Sequence, residues 1–135
     1  MTRSHFQALA NFRYELRRFL RFSEDAARLE GLTPLQYQLL LQIAGYPGRT
    51  WAVVGELAER LQMAPHGLVA LLSRCERAHL VERRRSTTDR RQVEVHLAPK
   101  GAAVVAKVAA RNWPELQALS SVFRVGRMAA FNDSD

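Results

Sequence analysis

The residues most able to do chemistry in this chain are arginines clustered in its second half. Eighteen consecutive residues contain seven of them: Arg74, Arg77, Arg83, Arg84, Arg85, Arg90 and Arg91. The same stretch has three acidic residues, Glu76, Glu82 and Asp89, so it holds +4 of the chain's net charge of +7. Guanidinium groups bind phosphate oxygens through paired hydrogen bonds, and a local cluster concentrates that attraction. The cluster predicts a surface that binds nucleic acid; a solvated basic hairpin without a partner is the alternative.

A helix over about residues 65–78 is predicted directly before most of these arginines. Pro65 suits its first turn, and one face is an apolar stripe made of Leu68, Leu71, Leu72 and Cys75. The opposite face, which a nucleic acid would meet, carries His66, Gly67, Val69, Ala70, Ser73 and Arg74. In its amino-terminal half His66 is the one polar side chain, so direct contact with base edges is predicted to be sparse.

The elements around this helix follow the order of a winged helix-turn-helix over residues 33–97. Thr33 and Pro34 start a second helix that ends near Gly45. A short strand at residues 51–53 and a short helix at residues 54–61 precede the helix over residues 65–78, which takes the place of the recognition helix in this order. After it, alternating apolar residues predict a β-hairpin, the wing, over about residues 81–97.

Long helices flank this unit. Helical spacing predicts a first helix over residues 4–31, too long for a small domain, so its apolar face is completed by another chain or partly solvated. A fifth helix starts at Pro99, Trp113–Pro114 interrupts it, and a sixth covers the rest of residues 99–130, before a polar tail. The predicted fold is mainly α with a small β-hairpin wing: a winged helix-turn-helix with N- and C-terminal dimerisation helices in a single domain, residues 1–135.

The composition is that of a globular protein, with 47% hydrophobic and 24% charged residues. No run of about 18 apolar residues suggests a membrane span, and arginines interrupt any signal-peptide core, so we expect a cytoplasmic protein. The single cysteine, Cys75, excludes an internal disulfide, and the histidines lack ligand spacing, so neither a metal nor another cofactor is expected. The absence of a glycine-rich phosphate loop and of a nucleophile–base pair argues against an enzyme.

Three segments resemble the MarR family of transcriptional regulators across about residues 32–101: LTPLQYQLLLQIA, VGELAERLQMAPHGLVALLSRCERAHLVERR and STTDRRQVEVHLAPKG. The most specific pieces are GELAERL, HLVERR and the DRR sequence followed by L-x-P-K-G. The resemblance implies a homodimer in which the N- and C-terminal helices of two chains interlock. It also implies that Arg90 enters the minor groove, that Asp89 orients it through an ion pair with a nearby arginine, and that Arg91 contacts phosphate.

The chain departs from the family at the start of the recognition helix. Family members often have Ser or Thr where this chain has Ala64 and Gly67, and a base-contacting arginine where it has Val69 or Ala70. Base contacts are then expected from few residues: His66, Ser73 and Arg74, with Val69 or Ala70 against thymine methyl groups. More of the specificity is expected from the wing arginines and from DNA shape.

The function that the resemblance implies is that of a sequence-specific regulator of transcription that binds double-stranded DNA. We expect a repressor that binds a pseudo-palindromic operator as a homodimer, with half-sites ~10 bp apart. The alternative is a MarR-like dimeric protein-interaction module, or a weakly specific DNA binder that has lost direct base readout.

The resemblance also implies release by a small aromatic ligand bound between the dimerisation helices and the winged domain. The aromatic residues proposed to line such a site are Phe12, Phe19, Tyr37, Tyr46 and Trp113. Aromatic residues at helical spacing more often form a core, so both interpretations stay open. Cys75 is expected to be a small core residue rather than a redox switch, because a buried thiol is inert.

Overall fold

The computed structural model, which describes the backbone of residues 1–131 and the side chains of residues 1–121, has five helices and a three-stranded sheet in the described part of the chain. The helices are α1 (Arg3–Leu29), α2 (Pro34–Ala44), α3 (Val54–Leu61), α4 (Pro65–Arg77) and α5 (Pro99–Phe131). The strands are β1 (Trp51–Val53), β2 (Val81–Arg85) and β3 (Val93–Leu97). The predicted winged helix-turn-helix, mainly helical with a small wing, is confirmed.

Local sequence explains where the helices of the central unit begin. The Thr33 hydroxyl accepts a hydrogen bond from the Gln36 backbone N–H at 3.1 Å, and the Gln36 side chain accepts one from the Thr33 N–H at 3.0 Å. This reciprocal pair satisfies two of the N–H groups that a helix start leaves without partners, and Pro34 suits the first turn. Helix α4 also has a proline in its first turn, Pro65, but Ala64 before it provides no side-chain cap.

The sheet has the order β1-β3-β2, and both pairings are antiparallel. Strand β1 reaches only from Trp51, opposite His96, to Val53, opposite Glu94. The hairpin continues beyond this point, since Arg85 pairs with Val93 and the turn follows. The outer part of the wing is therefore a two-stranded ribbon that the third strand does not support.

The core lies between the helix-turn-helix and the inner face of the sheet. Its largest fully buried side chains belong to α2, α3, α4, β3 and α5: Leu39, Leu40, Ile43, Leu57, Leu68, Leu71, Leu72, Cys75, Val95 and Val108. Helix α1 packs mainly along α5 of the same chain. Helix α5 therefore covers one side of α1, and the expectation that another chain completes its apolar face, or that part of it stays solvated, concerns the remaining side.

Helix α5 continues through Pro114, so the predicted break at Trp113–Pro114 and the separate sixth helix were wrong. A proline inside a helix removes one backbone hydrogen bond, at a cost of about 3 kcal/mol. Buried residues on both sides of it, Asn112 and Leu119, hold the two parts of the helix against the rest of the molecule. Packing along the helix thus outweighs the local preference for a break.

Two further expectations concern the surface and the end of the chain. None of the helices within the described residues carries a segment apolar enough to span a lipid bilayer. The polar tail predicted at residues 132–135 lies outside the described residues.

Candidate nucleic-acid interface

Helix α4 exposes one face and buries the other. Leu68, Leu71, Leu72 and Cys75 are at most 2% exposed and pack on the core. The residues predicted to meet DNA lie on the other side: Pro65, His66, Val69, Ala70, Arg74 and Arg77 are exposed, and Gly67 and Ser73 are half-buried. The apolar stripe and the outward face therefore occupy the sides of α4 that the sequence predicted.

The end of α4 turns sharply into the wing. His79 adopts a φ of +61°, the left-handed conformation that often terminates helices, and the Leu80 N–H donates to the Cys75 carbonyl at 2.9 Å. The Lys100 ammonium donates to the Ala78 carbonyl at 3.1 Å, which satisfies another of the last carbonyls of α4. The start of α5 thus helps to terminate the recognition helix.

Gly101 lies where α5 meets the base of the wing. A Cβ atom at this position would overlap the Leu80 carbonyl oxygen and lie 2.9 Å from the Leu80 carbonyl carbon. That oxygen also accepts a hydrogen bond from the Ala98 N–H at 2.9 Å. Only glycine permits this close approach. Sequence analysis noted the P-K-G sequence as a family feature but assigned Lys100 and Gly101 no role.

Hydrogen bonds within the wing order its tip. Ser86, which is 4% exposed, accepts hydrogen bonds from the backbone N–H groups of Thr88 and Asp89, both at 3.2 Å. Asp89 accepts one from the Arg91 N–H at 3.0 Å, and its carboxylate lies 3.8 Å from the Arg91 guanidinium. The nearby arginine that pairs with Asp89 is therefore Arg91. Ser86 was missed by sequence analysis, where only its polar, turn-forming character was visible.

The three acidic residues of the cluster each pair with one arginine. Glu76 lies 3.4 Å from Arg83, Glu82 lies 3.1 Å from Arg84, and Asp89 pairs with Arg91. Within the described residues, four arginines of the cluster have no acidic partner: Arg74, Arg77, Arg85 and Arg90. The net charge of +4 therefore resides on two arginines of α4 and two of the wing.

Strand β2 directs its arginines to opposite faces of the sheet, because side chains alternate along a strand. Arg83 and Arg85 share the face of the buried residues Val81 and Val95, whereas Arg84 lies on the other face. From that shared face, Arg83 Nη2 donates a hydrogen bond to Ser73 Oγ of α4 at 3.1 Å. Helix α4 and the wing consequently lie side by side, in contact through Arg83.

Comparison with known proteins shows which family the chain resembles. The model of the MarR family matches residues 30–92, which contain α2, β1, α3, α4, β2 and the wing turn. Over this segment, which is 63 of the 135 residues, the chain is similar to the MarR family. A similar curated relative, a putative transcriptional regulatory protein for the hcr operon of Thauera aromatica, is 29% identical over 96 residues, which are 71% of this chain. The chain spans 56% of that relative's length.

Solved structures of the family share the fold. AbsC, a MarR family transcriptional regulator from Streptomyces coelicolor, superimposes with a TM-score of 0.73 at 23% identity, over 88% of this chain and 80% of AbsC. A mutant of MarR from E. coli, in complex with operator DNA, gives a TM-score of 0.66 at 22% identity, over 81% and 76% of the two chains. At these identities the likeness shows a common fold.

Tyr46 belongs to a polar cluster that supports α3. Glu56, in the first turn of α3, accepts hydrogen bonds from the Tyr46 hydroxyl at 2.8 Å, from the Val53 N–H at 3.0 Å and from Arg49. The Arg49 guanidinium stacks 4.1 Å from the centre of the Trp51 ring. Burial opposes ionisation of Glu56, but these hydrogen bonds and the Arg49 charge hold its pKa below the ordinary value.

A cavity of 390 Å³ lies between α1, α2 and α5. Three of the five aromatic residues proposed for a ligand site line it: Phe19, Tyr37 and Trp113. Phe12 and Tyr46 are not among the lining residues. Asn112 donates hydrogen bonds to Ser23 Oγ and to the Tyr37 hydroxyl, both at 3.1 Å. Its own Oδ1 is buried and has no partner among the residues that the structure describes.

Cys75 is fully buried among the apolar residues of α4 and the core. Burial raises the pKa of its thiol to about 11, although the charge of Arg74 acts in the opposite direction. The thiolate is therefore scarce at neutral pH, as expected for a core residue rather than a reactive one.

Proposed function

We propose that this chain is a transcriptional repressor of the cytoplasm that binds double-stranded operator DNA as a homodimer. The observation that carries the proposal is the contact of α4 with a wing rich in arginine. Four arginines of these two elements, Arg74, Arg77, Arg85 and Arg90, lack acidic partners among the described residues, and we propose that they form one cationic surface. In winged helix-turn-helix proteins the second helix of the pair enters the major groove. The wing then reaches the adjacent phosphates and minor groove, where Arg90 at the tip is the side chain we assign to the groove.

The match to the MarR family model supports DNA as the partner, since MarR from E. coli, which has the same fold, was solved with operator DNA. Two heads related by a two-fold axis favour a pseudo-palindromic site with half-sites ~10 bp apart. We assign direct base contacts to His66 at the start of α4, and phosphate contacts to the other unpaired arginines, Arg74, Arg77 and Arg85.

Exposed apolar side chains support the homodimer. On α1, Phe6 is 62% exposed and Leu9 is 56% exposed; on α5, Trp113 is 60% exposed. Large apolar residues that share a helix surface in this way favour an interface, because their burial removes apolar area from water. A second copy of the chain, with α1 and α5 packed against the same elements, is the partner that we propose for them.

The cavity beside α1 is the proposed effector site. Asn112 is 6% exposed, and its unpaired Oδ1 is an acceptor that a ligand's donor group can satisfy. Among the described lining residues, the only charged one is Glu24. We therefore propose an aromatic effector that is neutral or cationic and carries a hydrogen-bond donor, rather than an aromatic carboxylate.

A salt titration of duplex binding tests DNA recognition. Neutralising phosphates releases counterions, so the logarithm of the binding constant should fall steeply with the logarithm of salt concentration. The slope should be smaller in Arg90→Ala and in Arg85→Ala, by about one unit each. A flat dependence in the wild-type protein would exclude the proposed function.

Selection of bound fragments from genomic DNA distinguishes a sequence-specific regulator from the alternative, an interaction module or weakly specific DNA binder. An inverted repeat recovered by the wild-type protein supports a sequence-specific regulator. Equal and weak binding of all fragments supports instead the interaction module or weakly specific binder, which the small and apolar side chains of Val69 and Ala70 favour.

Thermal unfolding tests the effector. Phenol should raise the unfolding temperature of the wild-type protein, while benzoate should have little effect because its carboxylate meets no basic residue of the described lining. Asn112→Leu should abolish the effect of phenol. A shift by benzoate alone would contradict the proposed ligand class.

A further inference from the structure

Arg83 differs from the other arginines of the wing in having two partners on α4. Its Nη2 donates to Ser73 Oγ at 3.1 Å, and its Nε lies 3.4 Å from the Glu76 carboxylate. Its side chain is 34% exposed, compared with 56% for Arg84 and 95% for Arg91. The guanidinium group of Arg83 is thus directed at the recognition helix.

We infer that Arg83 is a positioning residue: together with Ser73 and Glu76 it sets the angle between the wing and the recognition helix, and it influences DNA only through that angle. The inference rests on the proposed function. It changes the roles of Arg83 and Ser73, which the sequence suggested as direct DNA contacts, and it assigns a function to Glu76.

The position of Arg83 along the wing supports this role. Arg83 pairs with Val95, and Val95 pairs on its other side with Ala52 of β1, so three strands are present at this level. Two pairs further out, at Arg85 and Val93, only two strands remain. A two-stranded ribbon is marginally stable by itself and twists readily. A side contact to α4 just before the third strand ends therefore restricts the direction of the outer wing.

The charge of Glu76 gives a second reason. A carboxylate near a phosphate backbone weakens binding by repulsion, so an acid on the same side as the unpaired arginines is unfavourable for DNA binding on charge grounds alone. Its contact with Arg83 offers a compensating benefit, because the contact holds Arg85 and Arg90 where they can meet the duplex. Repulsion of phosphate by Glu76 lowers DNA affinity, whereas its contact with Arg83 raises it. The DNA affinity of a variant that lacks the Glu76 carboxylate therefore shows which effect is larger.

Glu76→Ala is the decisive variant, and Glu82→Ala is its matched control. Both remove one carboxylate, but Glu82 pairs with Arg84 on the face of the sheet that points away from α4. We expect Glu82→Ala to bind a specific duplex as well as the wild-type protein or slightly more tightly. We expect Glu76→Ala to bind it about fivefold more weakly despite the gain in positive charge. Tighter binding by Glu76→Ala would overturn the inference.

Arg83→Lys distinguishes position from charge. A lysine keeps the positive charge for a phosphate but cannot reach two partners with a planar fork. We expect Arg83→Lys to lose as much affinity as Arg83→Ala, whereas a phosphate-contacting residue would be largely rescued by lysine. Circular dichroism melts of each variant check that the loss is not one of folding.

Amide hydrogen exchange without DNA completes the test. The N–H groups of residues 85–93 should exchange faster in Glu76→Ala than in Glu82→Ala, because the outer wing is released. Equal exchange in the two variants would overturn the inference even if both bind DNA. If the wild-type protein binds no duplex while the exchange rates differ, the proposed function fails and the contact between α4 and the wing remains established.

Discussion

Helix α4 and the wing lie side by side but carry different chemistry. The amino-terminal half of α4 exposes one side chain that can hydrogen-bond, His66, beside Val69 and Ala70. The wing exposes Arg85 and Arg90, which have positive charges without acidic partners among the described residues. Hydrogen bonds to base edges distinguish sequences, whereas charges near phosphates raise the affinity for every sequence. The difference teaches that affinity and sequence preference depend on different elements of the proposed interface.

The largest effect is expected where the two elements join. Gly101→Ala places a Cβ atom on the Leu80 carbonyl, and backbone atoms of a buried turn cannot move aside. We expect the free energy of unfolding to fall by about 3 kcal/mol or more. Chemical unfolding followed by circular dichroism measures it.

The control for this variant is Gly67→Ala, within α4. A Cβ there meets only Met63 Cε at 3.6 Å, an ordinary contact, so the better helix propensity of alanine should stabilise the protein by up to about 1 kcal/mol. Wild-type stability in Gly101→Ala would show that α5 does not approach Leu80, between α4 and the wing, this closely.

Adjacent arginines of β2 give the next largest effect. Arg85→Ala should weaken binding of all duplexes by about tenfold at ~0.1 M salt, because one phosphate contact and its counterion release are lost. Arg84→Ala removes the same charge from the opposite face, where Glu82 already pairs with it, and should change affinity by less than about twofold. Equal losses would mean that affinity follows net charge and not the face of the wing.

His66→Ala tests whether α4 contributes sequence preference. We expect about fivefold weaker binding to the preferred operator and little change for unrelated duplexes, because one hydrogen bond to a base is lost. The salt dependence should stay as in the wild-type protein. An equal loss of affinity for every duplex sequence would indicate that His66 contacts phosphate and not a base. The first turns of α4 would then provide no polar side chain for base contacts.

The smallest expected effect is on stability and not on DNA binding, and it concerns Glu56 of the polar cluster that supports α3. Because the pKa of Glu56 is lower in the folded protein than its ordinary value of 4.5, its contribution to stability is present above that value and is lost as the pH falls through the folded-state pKa. Glu56→Gln should therefore lose less stability than the wild-type protein between about pH 6 and about pH 3. An identical acid dependence in the two proteins would contradict the assigned role of the Glu56 cluster.

Much of the fold followed from the sequence because its signals are local. Helical spacing of apolar residues, the Thr33–Pro34 start and the alternation before Leu97 each describe a few neighbouring residues, and the structure has the corresponding elements. The break at Pro114 was wrong because a local preference was weighed without the packing of Asn112 and Leu119. That packing joins residues far apart in the chain.

The sequence by itself determined that a basic hairpin follows an amphipathic helix, since charge and periodicity are properties of consecutive residues. Only the tertiary structure decided which arginines remain unpaired, that Arg83 contacts Ser73, and that Gly101 must lack a side chain. The reason is physical: an ion pair, a shared face of a sheet and a close backbone approach depend on register and packing between elements, which composition and spacing do not specify.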